Sequence, residues 1–367
     1  MTNIKRREFL KASAAIAAAS AAGGFSCIEI ANAAAVAPPA VDRLNMRVLV
    51  DGAMNIFLRP AEAGGVKLEP APPFRDNRRV LHNQWGLSLF LESQSGSEQR
   101  SVMLDFGYTA EALLNNMEMT GVDPRKIEAL IVSHGHFDHH GGLIGLLDKF
   151  RGVLPADLTL YAGGEDNFCI RHQGRPGSLA EWGTLDRRDL SKHKVKTVLA
   201  ENPVVVGHAF TTGKIKRSSK ERVLPNTFVE FAVRDGLGCN AGHYTPAELQ
   251  GKIVADEHLH EHATCFNVKD RGLVVISSCG HCGIVNSARQ AQEVSGIRKV
   301  HAVVGGFHLG PAQPAYLNEI MGEIKELNPD VIVPMHCSGD NFIRAVRETM
   351  PEKLLVPFTG AGLTFGA

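Results

Sequence analysis

Short apolar runs bounded by polar or glycine-rich segments recur along this chain, and each run has the length of a buried strand. They predict strands at residues 46–50, 86–91, 101–106, 127–132, 273–277, 299–305 and 330–334. Stretches with a helical spacing of apolar residues lie between them and predict helices at 110–119, from 143 onward, at 287–294 and at 315–327. This alternation of strands and helices indicates the α/β class.

Two stretches lack this regularity. Residues 60–79 are rich in Pro, Gly and charge, and they predict a surface loop. Residues 168–262 are irregular in pattern and predict strands with long loops that help to build a substrate pocket. Because Pro38-Pro39 lies in a predicted linker at 34–45, we expect a single domain over residues 46–367.

The N-terminus has the features of an export signal. Arg6-Arg7 precedes an alanine-rich apolar stretch, and Ala31-Asn32-Ala33 provides a small-x-small cleavage site. Residues 1–33 are therefore predicted to be a twin-arginine signal peptide that engages the twin-arginine export machinery. The mature protein would be periplasmic or extracellular, without stable membrane association after cleavage. The alternatives are a membrane anchor, a disordered tail or a lipoprotein attached at Cys27.

The charge balance excludes several classes of partner. Lysine and arginine together number 39, and aspartate and glutamate together also number 39. No global field therefore favours nucleic acid or an anionic membrane surface. No apolar run after the N-terminus approaches the roughly eighteen residues of a membrane span. The expected partner is a small-molecule substrate held by local groups or by metal.

The cysteines permit two interpretations. Six follow the predicted signal, at positions 169, 239, 265, 279, 282 and 337, and an even number in an oxidising compartment permits disulfides. Cys279-Gly-His-Cys282 also has the CxxC spacing of redox and zinc sites. A lone CxxC is a weak signal, and this one encloses a histidine with another predicted role. We therefore expect buried thiols rather than a structural disulfide.

Residues 134–140 carry the strongest chemical signal, reading His-Gly-His-Phe-Asp-His-His directly after the run at 127–132. Such a turn can gather imidazole nitrogens and a carboxylate around one point, and zinc accepts that mixture of ligands. Gly141-Gly142 opens the next helix, so the motif lies on a strand-to-helix loop, where α/β enzymes place their chemistry. So many ligand-type residues together argue against a simple polar surface loop.

A histidine also follows each of the three late strands. These residues are His281, His308 and His336. Their placement at strand ends favours metal ligation over an ordinary core or surface role.

The HxHxDH motif at 134–139 and the Leu104-Asp105-Phe106-Gly107 turn resemble the metallo-β-lactamase superfamily. The resemblance implies an α/β fold, a four-layer αβ/βα sandwich, with one active site along its edge. It also implies two metal sites. The first would be held by His134, His136 and His281, and the second by Asp138, His139 and His336.

Segments 278–286, 305–309 and 336–339 are similar to a narrower subgroup, 7,8-dihydropterin-6-yl-methyl-4-(β-D-ribofuranosyl)aminobenzene 5'-phosphate synthase. His308 departs from the wider superfamily, in which an aspartate bridges the metals at the comparable strand end. With Asp138 as the sole anionic ligand, two dications would repel with less compensation. We therefore expect Zn²⁺ as the cofactor, with one ion held tightly and a second more weakly. Mn²⁺ and Fe²⁺ are also compatible with these ligands.

Two residues are candidates for catalysis. Asp138 can be both ligand and base, because a carboxylate beside the metal can orient a water and take up its proton. His308 is expected to ligate metal or to donate a hydrogen bond to the substrate, and a structural role is the remaining alternative. Asp105 is expected to brace the histidine loop through hydrogen bonds.

The remaining histidines receive weaker assignments. His258, His260 and His262 alternate around Glu257 and Glu261 and are expected to form a solvated, charged loop. Glu261 and His262 could instead line the pocket. His140 is expected to be a bystander.

The favoured function is a divalent-metal-dependent hydrolase, in which a metal-bound hydroxide attacks an ester, phosphoester, lactone or amide. The subgroup resemblance implies an alternative, a transferase that condenses a pterin diphosphate with an arylamine riboside phosphate, although the export signal argues against it. A non-catalytic metal-binding protein is the third possibility. A redox role with iron is also open.

Overall fold

The computed structural model describes residues 35–74, 76–224, 227–251 and 253–366. The predicted signal peptide lies outside these residues. Within them, no helix combines the length and the apolar character needed to cross a bilayer.

Strands and helices alternate along the described chain. The strands are β1 (Ala40–Val41), β2 (Arg43–Val50), β3 (Ala61–Ala63), β4 (Val66–Glu69), β5 (Ser88–Ser95), β6 (Glu98–Leu104), β7 (Ala129–Val132), β8 (Thr159–Ala162), β9 (Ile170–Arg175), β10 (Ser178–Glu181), β11 (Lys196–Leu199), β12 (Val205–Val206), β13 (Ala209–Thr211), β14 (Phe228–Glu230), β15 (Val233–Arg234), β16 (Leu237–Gly238), β17 (Ile253–Ala255), β18 (Thr264–Val268), β19 (Gly272–Ser277), β20 (Val300–Gly305), β21 (Val331–Pro334) and β22 (Gly362–Gly366). The α-helices are α1 (Ala110–Thr120), α2 (Phe137–His140), α3 (Leu143–Phe150), α4 (Arg187–Lys192), α5 (Ile284–Ser295), α6 (Pro314–Leu327) and α7 (Asp340–Thr349).

Two large sheets enclose the central core. The first has the strand order β11-β8-β7-β6-β5-β2-β22-β4-β3, and the second has the order β12-β13-β18-β19-β20-β21 with β1 paired to β18. Successive side chains of a strand point to opposite faces, and β2 follows this rule. Its Leu44 and Met46 join Phe266 and Val304 of the second sheet in one core cluster. Leu49 packs on the other face of the first sheet.

Helices cover the two outer faces. Leu113 of α1 and Leu147 of α3 pack with Leu130 of the first sheet. On the second sheet, Val285 of α5 and Ile320 of α6 pack in a separate apolar cluster. The protein is therefore a four-layer αβ/βα sandwich, as predicted.

Parallel pairing places the chemistry at one edge of each sheet. Strands β6, β7 and β8 run parallel to one another, and so do β19, β20 and β21. In open parallel sheets, ligands bind beyond the carboxyl ends of the strands. The histidine motif follows β7 at this edge, while His281, His308 and His336 follow β19, β20 and β21.

The structure corrects several predicted boundaries. Residues 60–79 are not all loop, because β3 and β4 form a hairpin and β4 pairs with β22. Strands of three and four residues are too short to show a clear alternation. Helix α7 was not predicted, because within it only Phe342 and Val346 are buried and its other positions are mostly charged or polar. Strand β2 begins at Arg43, inside the predicted linker.

The irregular middle segment has a small sheet of its own, with the order β10-β9-β14-β17. A disulfide joins Cys169 and Cys239 across 70 residues of sequence, so the expectation of free thiols is wrong for this pair. The two cysteines meet because the antiparallel pairing of β9 and β14 folds this segment back on itself. The other described cysteines are buried free thiols, as expected: Cys265, Cys279, Cys282 and Cys337.

Candidate metal centre

The histidine motif is held at both ends of its turn. The amide and the hydroxyl of Ser133 donate to the two carboxylate oxygens of Asp105, each at 2.7 Å. At the other end, a Cβ on Gly141 would lie 2.1 Å from the carbonyl oxygen of Tyr108, so only glycine permits this close approach. The loop between these anchors is therefore fixed in position.

The first donor set consists of His134, His136 and His281. One ring nitrogen from each lies within 4.8 Å of the others, and all three side chains are buried. The first two come from the loop after β7 of the first sheet, and His281 comes from the loop after β19 of the second. The set thus spans both sheets in the grouping predicted for the first metal.

The second donor set consists of Asp138, His139 and His336. Oδ2 of Asp138 lies 3.3 Å from Nε2 of His336 and 3.7 Å from Nε2 of His139. The two Nε2 atoms are 3.2 Å apart. The rings of His134 and His139 have centroids 4.3 Å apart, so the two donor sets are neighbours.

Burial and the neighbouring groups together determine the protonation of these ligands. Burial first, and then the neighbouring histidines, lowers the pKa of His134, His136 and His281 well below the ordinary value. These imidazoles are therefore neutral at pH 7. Burial acts to raise the pKa of Asp138, but His139 and His336 outweigh it and lower that pKa, so the carboxyl group is ionised. Burial acts to lower the pKa of His336, but Cys337 and Asp138 outweigh it and raise that pKa to about 9.

Both donor sets contain buried polar atoms that lack a hydrogen-bond partner. Nε2 of His134, Oδ1 of Asp138 and Nδ1 of His336 are buried without a hydrogen bond to any described residue. Leaving such an atom unsatisfied costs about 1–3 kcal/mol. Neutral imidazoles with a carboxylate are the donors that zinc and related divalent ions accept. The residues present thus fit a divalent metal.

Carboxylates outside the donor sets hold the ligands in place. Besides its bonds to Ser133, Asp105 bonds to His139, which is the bracing role expected of it. Oδ1 of Asp51 accepts from the amide of His336 at 2.9 Å. Glu261 accepts from the amides of His281 and Cys282 at 3.1 and 2.5 Å.

The bracing roles of Asp51 and Glu261 were not predicted. The available signal for Glu261 was its place within the histidine-rich run at 258–262. The signal for Asp51 was its place directly after the strand that ends at Val50.

The prediction of a solvated loop for His258, His260 and His262 is wrong, because all three side chains are buried. The His258 ring stacks on that of His281 with centroids 3.9 Å apart. Nε2 of His260 accepts the amide hydrogen of Gly135 at 3.0 Å. Burial is the main cause that lowers the pKa of His258 to about 3 and that of His260 to about 4. These neutral rings pack behind the first donor set instead of facing water.

His308 and His140 lie beside the donor sets. The His308 ring is 4.3 Å from that of His281 between centroids, and its Nε2 has no hydrogen-bond partner among the described residues. His308 and His336 both adopt positive φ, at 47° and 50°. Such strained backbone is concentrated at functional sites. His140, the expected bystander, is buried against Phe137, 5.3 Å away between ring centroids.

A cavity of about 530 Å³ opens beside His336. Trp85 lies over the His336 ring at 4.7 Å between centroids, and 56% of its surface remains exposed. Arg344 and Arg347 of α7 line the same cavity and are exposed. Residues three positions apart share one face of a helix, so both guanidinium groups can reach one ligand.

The chain is similar to proteins of known family. Residues 86–186 match the model of the metallo-beta-lactamase superfamily. The 7,8-dihydropterin-6-methyl-4-(beta-D-ribofuranosyl)-aminobenzene-5'-phosphate synthase of Methanocaldococcus jannaschii is 29% identical over 261 residues, which cover 70% of this chain and 82% of that protein. An uncharacterized protein of the same organism is 26% identical over 263 residues, which cover 70% and 84%.

Among solved structures, a metal-dependent hydrolase of the beta-lactamase superfamily has a TM-score of 0.62 and 21% identity. The match covers 88% of this chain and 99% of that one.

Proposed function

We propose that this chain, which carries a metallo-β-lactamase superfamily domain and has the fold of that name, is a divalent-metal-dependent hydrolase. The observation that carries the proposal is the convergence of both donor sets. Ligand-type side chains from two sheets meet in one buried centre, where the histidines of the first set are neutral and the carboxyl group of Asp138 is ionised. We further propose zinc as the metal.

The metal would be held by His134, His136 and His281, with a second ion at Asp138, His139 and His336. A divalent ion bound there would lower the pKa of water and would polarise the bond to be broken. The residues of the chain do the rest. Oδ1 of Asp138, which has no partner among the described residues, is placed to accept a proton from the attacking water.

His308 is the candidate donor to the substrate. Burial acts to lower its pKa, but the contact with Cys337 outweighs burial and raises it, which favours the protonated ring. A protonated imidazole donates through both nitrogens. His308 would thus hold a substrate oxygen or the leaving group by a hydrogen bond.

The cavity beside His336 supports an anionic substrate. Arg344 and Arg347 offer positive charge, and guanidinium groups bind phosphate and carboxylate through paired hydrogen bonds. Trp85 adds a broad apolar surface. We therefore place phosphoesters, and esters or lactones that bear a carboxylate, first among the substrates.

The test combines metal analysis with a substrate panel of generic phosphodiesters, lactones and thioesters. We expect turnover by the metal-loaded protein and its loss, with lowered metal content, in His134→Ala. The matched control is His243→Ala, because His243 is exposed and lies outside both donor sets. Full metal content without turnover of any panel member would argue against a hydrolase and for a metal-binding protein.

A transferase is the second candidate, favoured by the relative of Methanocaldococcus jannaschii that is named as a synthase. In that reaction an arylamine riboside phosphate displaces pyrophosphate from a pterin diphosphate. Incubation with both substrates and assay of pyrophosphate, with and without the arylamine, tests it. Release that depends on the arylamine would favour the transferase over the hydrolase.

We also propose that the protein is exported through the twin-arginine pathway to the periplasm or beyond. The Cys169–Cys239 disulfide supports this, because such bonds persist in oxidising compartments. Cell fractionation of the wild type and of the Arg6→Lys, Arg7→Lys double variant tests the proposal. Retention of the variant inside the cell is expected, and equal export of both proteins would contradict the proposal.

A further inference from the structure

We infer that Cys279 supplies a thiolate ligand shared by the two metal sites, in the bridging role that an aspartate would otherwise fill. This inference rests on the proposed metal centre and deepens it. The sequence predicted a deficit of negative charge at this centre, and Cys279 is the residue placed to correct it.

The Cys279 sulfur lies close to ligands of both donor sets. Sγ lies within 4.8 Å of ring nitrogens of His134 and His139, which belong to different donor sets. It forms a second such group with His281 and His308, and a third with His336 and Cys337. The sulfur is therefore close to ligands of both sets at once, as a bridging atom must be.

The local backbone sets this position. Cys279 and His281 leave β19 on the same turn, and Gly280 between them has φ of 70°. This left-handed residue allows the chain to bend within a single turn. The thiol and the imidazole are therefore presented together at the edge of the second sheet.

The neighbouring cysteine supports the sulfur. Sγ of Cys337 lies 3.2 Å from Sγ of Cys279 and donates to the Cys279 carbonyl oxygen at 3.2 Å. Cys282, the other member of the CxxC, instead directs its thiol to the carbonyl of His258 at 3.1 Å. The structure thus assigns the bridging role to Cys279 and a neighbouring, supporting role to Cys337.

Charge balance gives the reason for a thiolate. Asp138 is the sole anion in the two donor sets, and His308 occupies the strand end where a bridging carboxylate is expected. A thiolate adds one negative charge between two dications, and zinc accepts sulfur at about 2.3 Å. On metal binding, the Cys279 thiol would release its proton to the buffer and its sulfur would bind the metal. The second ion would then be held more tightly than the histidines and Asp138 alone permit.

The experiment uses cobalt(II) in place of zinc in the complete chain, handled without oxygen so that the free thiols stay reduced and the Cys169–Cys239 disulfide stays intact. We expect the wild type to show the strong near-ultraviolet band of thiolate-to-cobalt charge transfer. Cys279→Ala should lose this band while keeping the weaker visible bands of cobalt bound to nitrogen and oxygen. Cys282→Ala is the matched control, and Cys337→Ala should keep the band as well.

X-ray absorption of the wild-type zinc protein provides a measurement that does not depend on a variant folding. A sulfur neighbour at about 2.3 Å is expected. In Cys279→Ala that neighbour should be absent, and the second zinc should bind about tenfold more weakly or worse. A zinc protein with only nitrogen and oxygen neighbours would overturn the inference. So would a charge-transfer band that persists in Cys279→Ala but disappears in Cys337→Ala.

Metal content distinguishes failure of the whole metal centre from failure of the thiolate ligand alone. A wild-type protein that retains no divalent metal would contradict the proposed centre as a whole. Full metal content without sulfur coordination would contradict the thiolate alone and leave the hydrolase proposal standing.

Discussion

Oδ2 of Asp105 lies 2.7 Å from Nδ1 of His139, and both side chains are fully buried. A carboxylate oxygen accepts hydrogen bonds, so Nδ1 of the ring is the donor in this contact. Nε2, on the opposite side of the ring, faces His336 and Asp138. Asp105 therefore fixes both the tautomer and the orientation of a candidate metal ligand.

Asp105→Asn should weaken the second metal site. The asparagine oxygen can still accept a hydrogen bond from Ser133. Its NH₂ group cannot accept from Nδ1–H of His139, so two donors would face each other. The affinity of the second ion should fall about 10- to 100-fold, as for other residues that orient ligands. Competition with a chromogenic chelator measures it. Asp123→Asn is the control, because Asp123 caps a distant turn and asparagine also caps well. Equal affinity in Asp105→Asn and the wild type would contradict the orienting role.

Glu221 makes the stability of the protein depend on pH. Its carboxylate accepts from the amides of Val285 and Asn286 at 3.2 and 3.0 Å, at the beginning of α5. Burial outweighs these bonds and raises the pKa to about 7 from 4.5. Between these values the folded protein binds more protons than the unfolded chain, so the free energy of unfolding falls as the pH rises.

Glu221→Gln should remove this pH dependence. Relative to the variant, the wild type should lose up to about 3 kcal/mol of unfolding free energy between pH 4 and pH 8, at roughly 1.4 kcal/mol per pKa unit. Urea unfolding of both proteins across this range, with chelator present, isolates the difference. A difference that is flat or increases in favour of the wild type would contradict the raised pKa.

Much of the site could be predicted because its signals are local. The motif at 134–140 and the histidines at 281, 308 and 336 each follow a strand whose apolar run is visible in the sequence. Parallel pairing then brings these strand ends together without further information. The α/β class could be predicted from the alternation of strands and helices along the sequence.

The missed features depend on long-range pairing within the irregular segment. His258 is buried because β17 pairs with β14, and β14 pairs with β9. No local sequence pattern predicts this pairing. Burial of Asp256 against Arg171, at 2.9 Å, follows from the same sheet. The sequence showed charged and polar residues there, and solvent exposure was the wrong conclusion because their partners lie up to 130 residues away.

Arg344 and Arg347 should bind the anionic part of the substrate. Both are exposed in the cavity beside His336, so each contributes less than a buried guanidinium would. The Arg344→Ala, Arg347→Ala double variant should weaken binding of pyrophosphate about tenfold, or about 1.4 kcal/mol. Calorimetry on the metal-loaded protein measures this. Arg125→Ala is the control, because Arg125 lies on an exposed turn after α1. Unchanged affinity of the double variant for pyrophosphate would show that this cavity is not the anion site.

Reduction of the Cys169–Cys239 disulfide should destabilise strand β9 and the residues that it packs behind the first donor set. Cys169 directly precedes β9, whose Arg171 contacts both Asp256 and His260. For a loop of 70 residues, the chain-entropy relation gives about 4 kcal/mol of stabilisation. The Cys169→Ala, Cys239→Ala double variant should lose a similar amount in urea unfolding, and the first metal should exchange faster.

Cys265→Ala is the control for the disulfide, because Cys265 is buried but unpaired. A phosphine reductant should lower the stability of the wild type and of Cys265→Ala but leave the double variant unchanged. Equal sensitivity in all three proteins would mean that the reductant acts elsewhere, at the free thiols or the metal, and would contradict a stabilising disulfide. Loss of stability without faster metal exchange would show that β9 and the first donor set are not coupled.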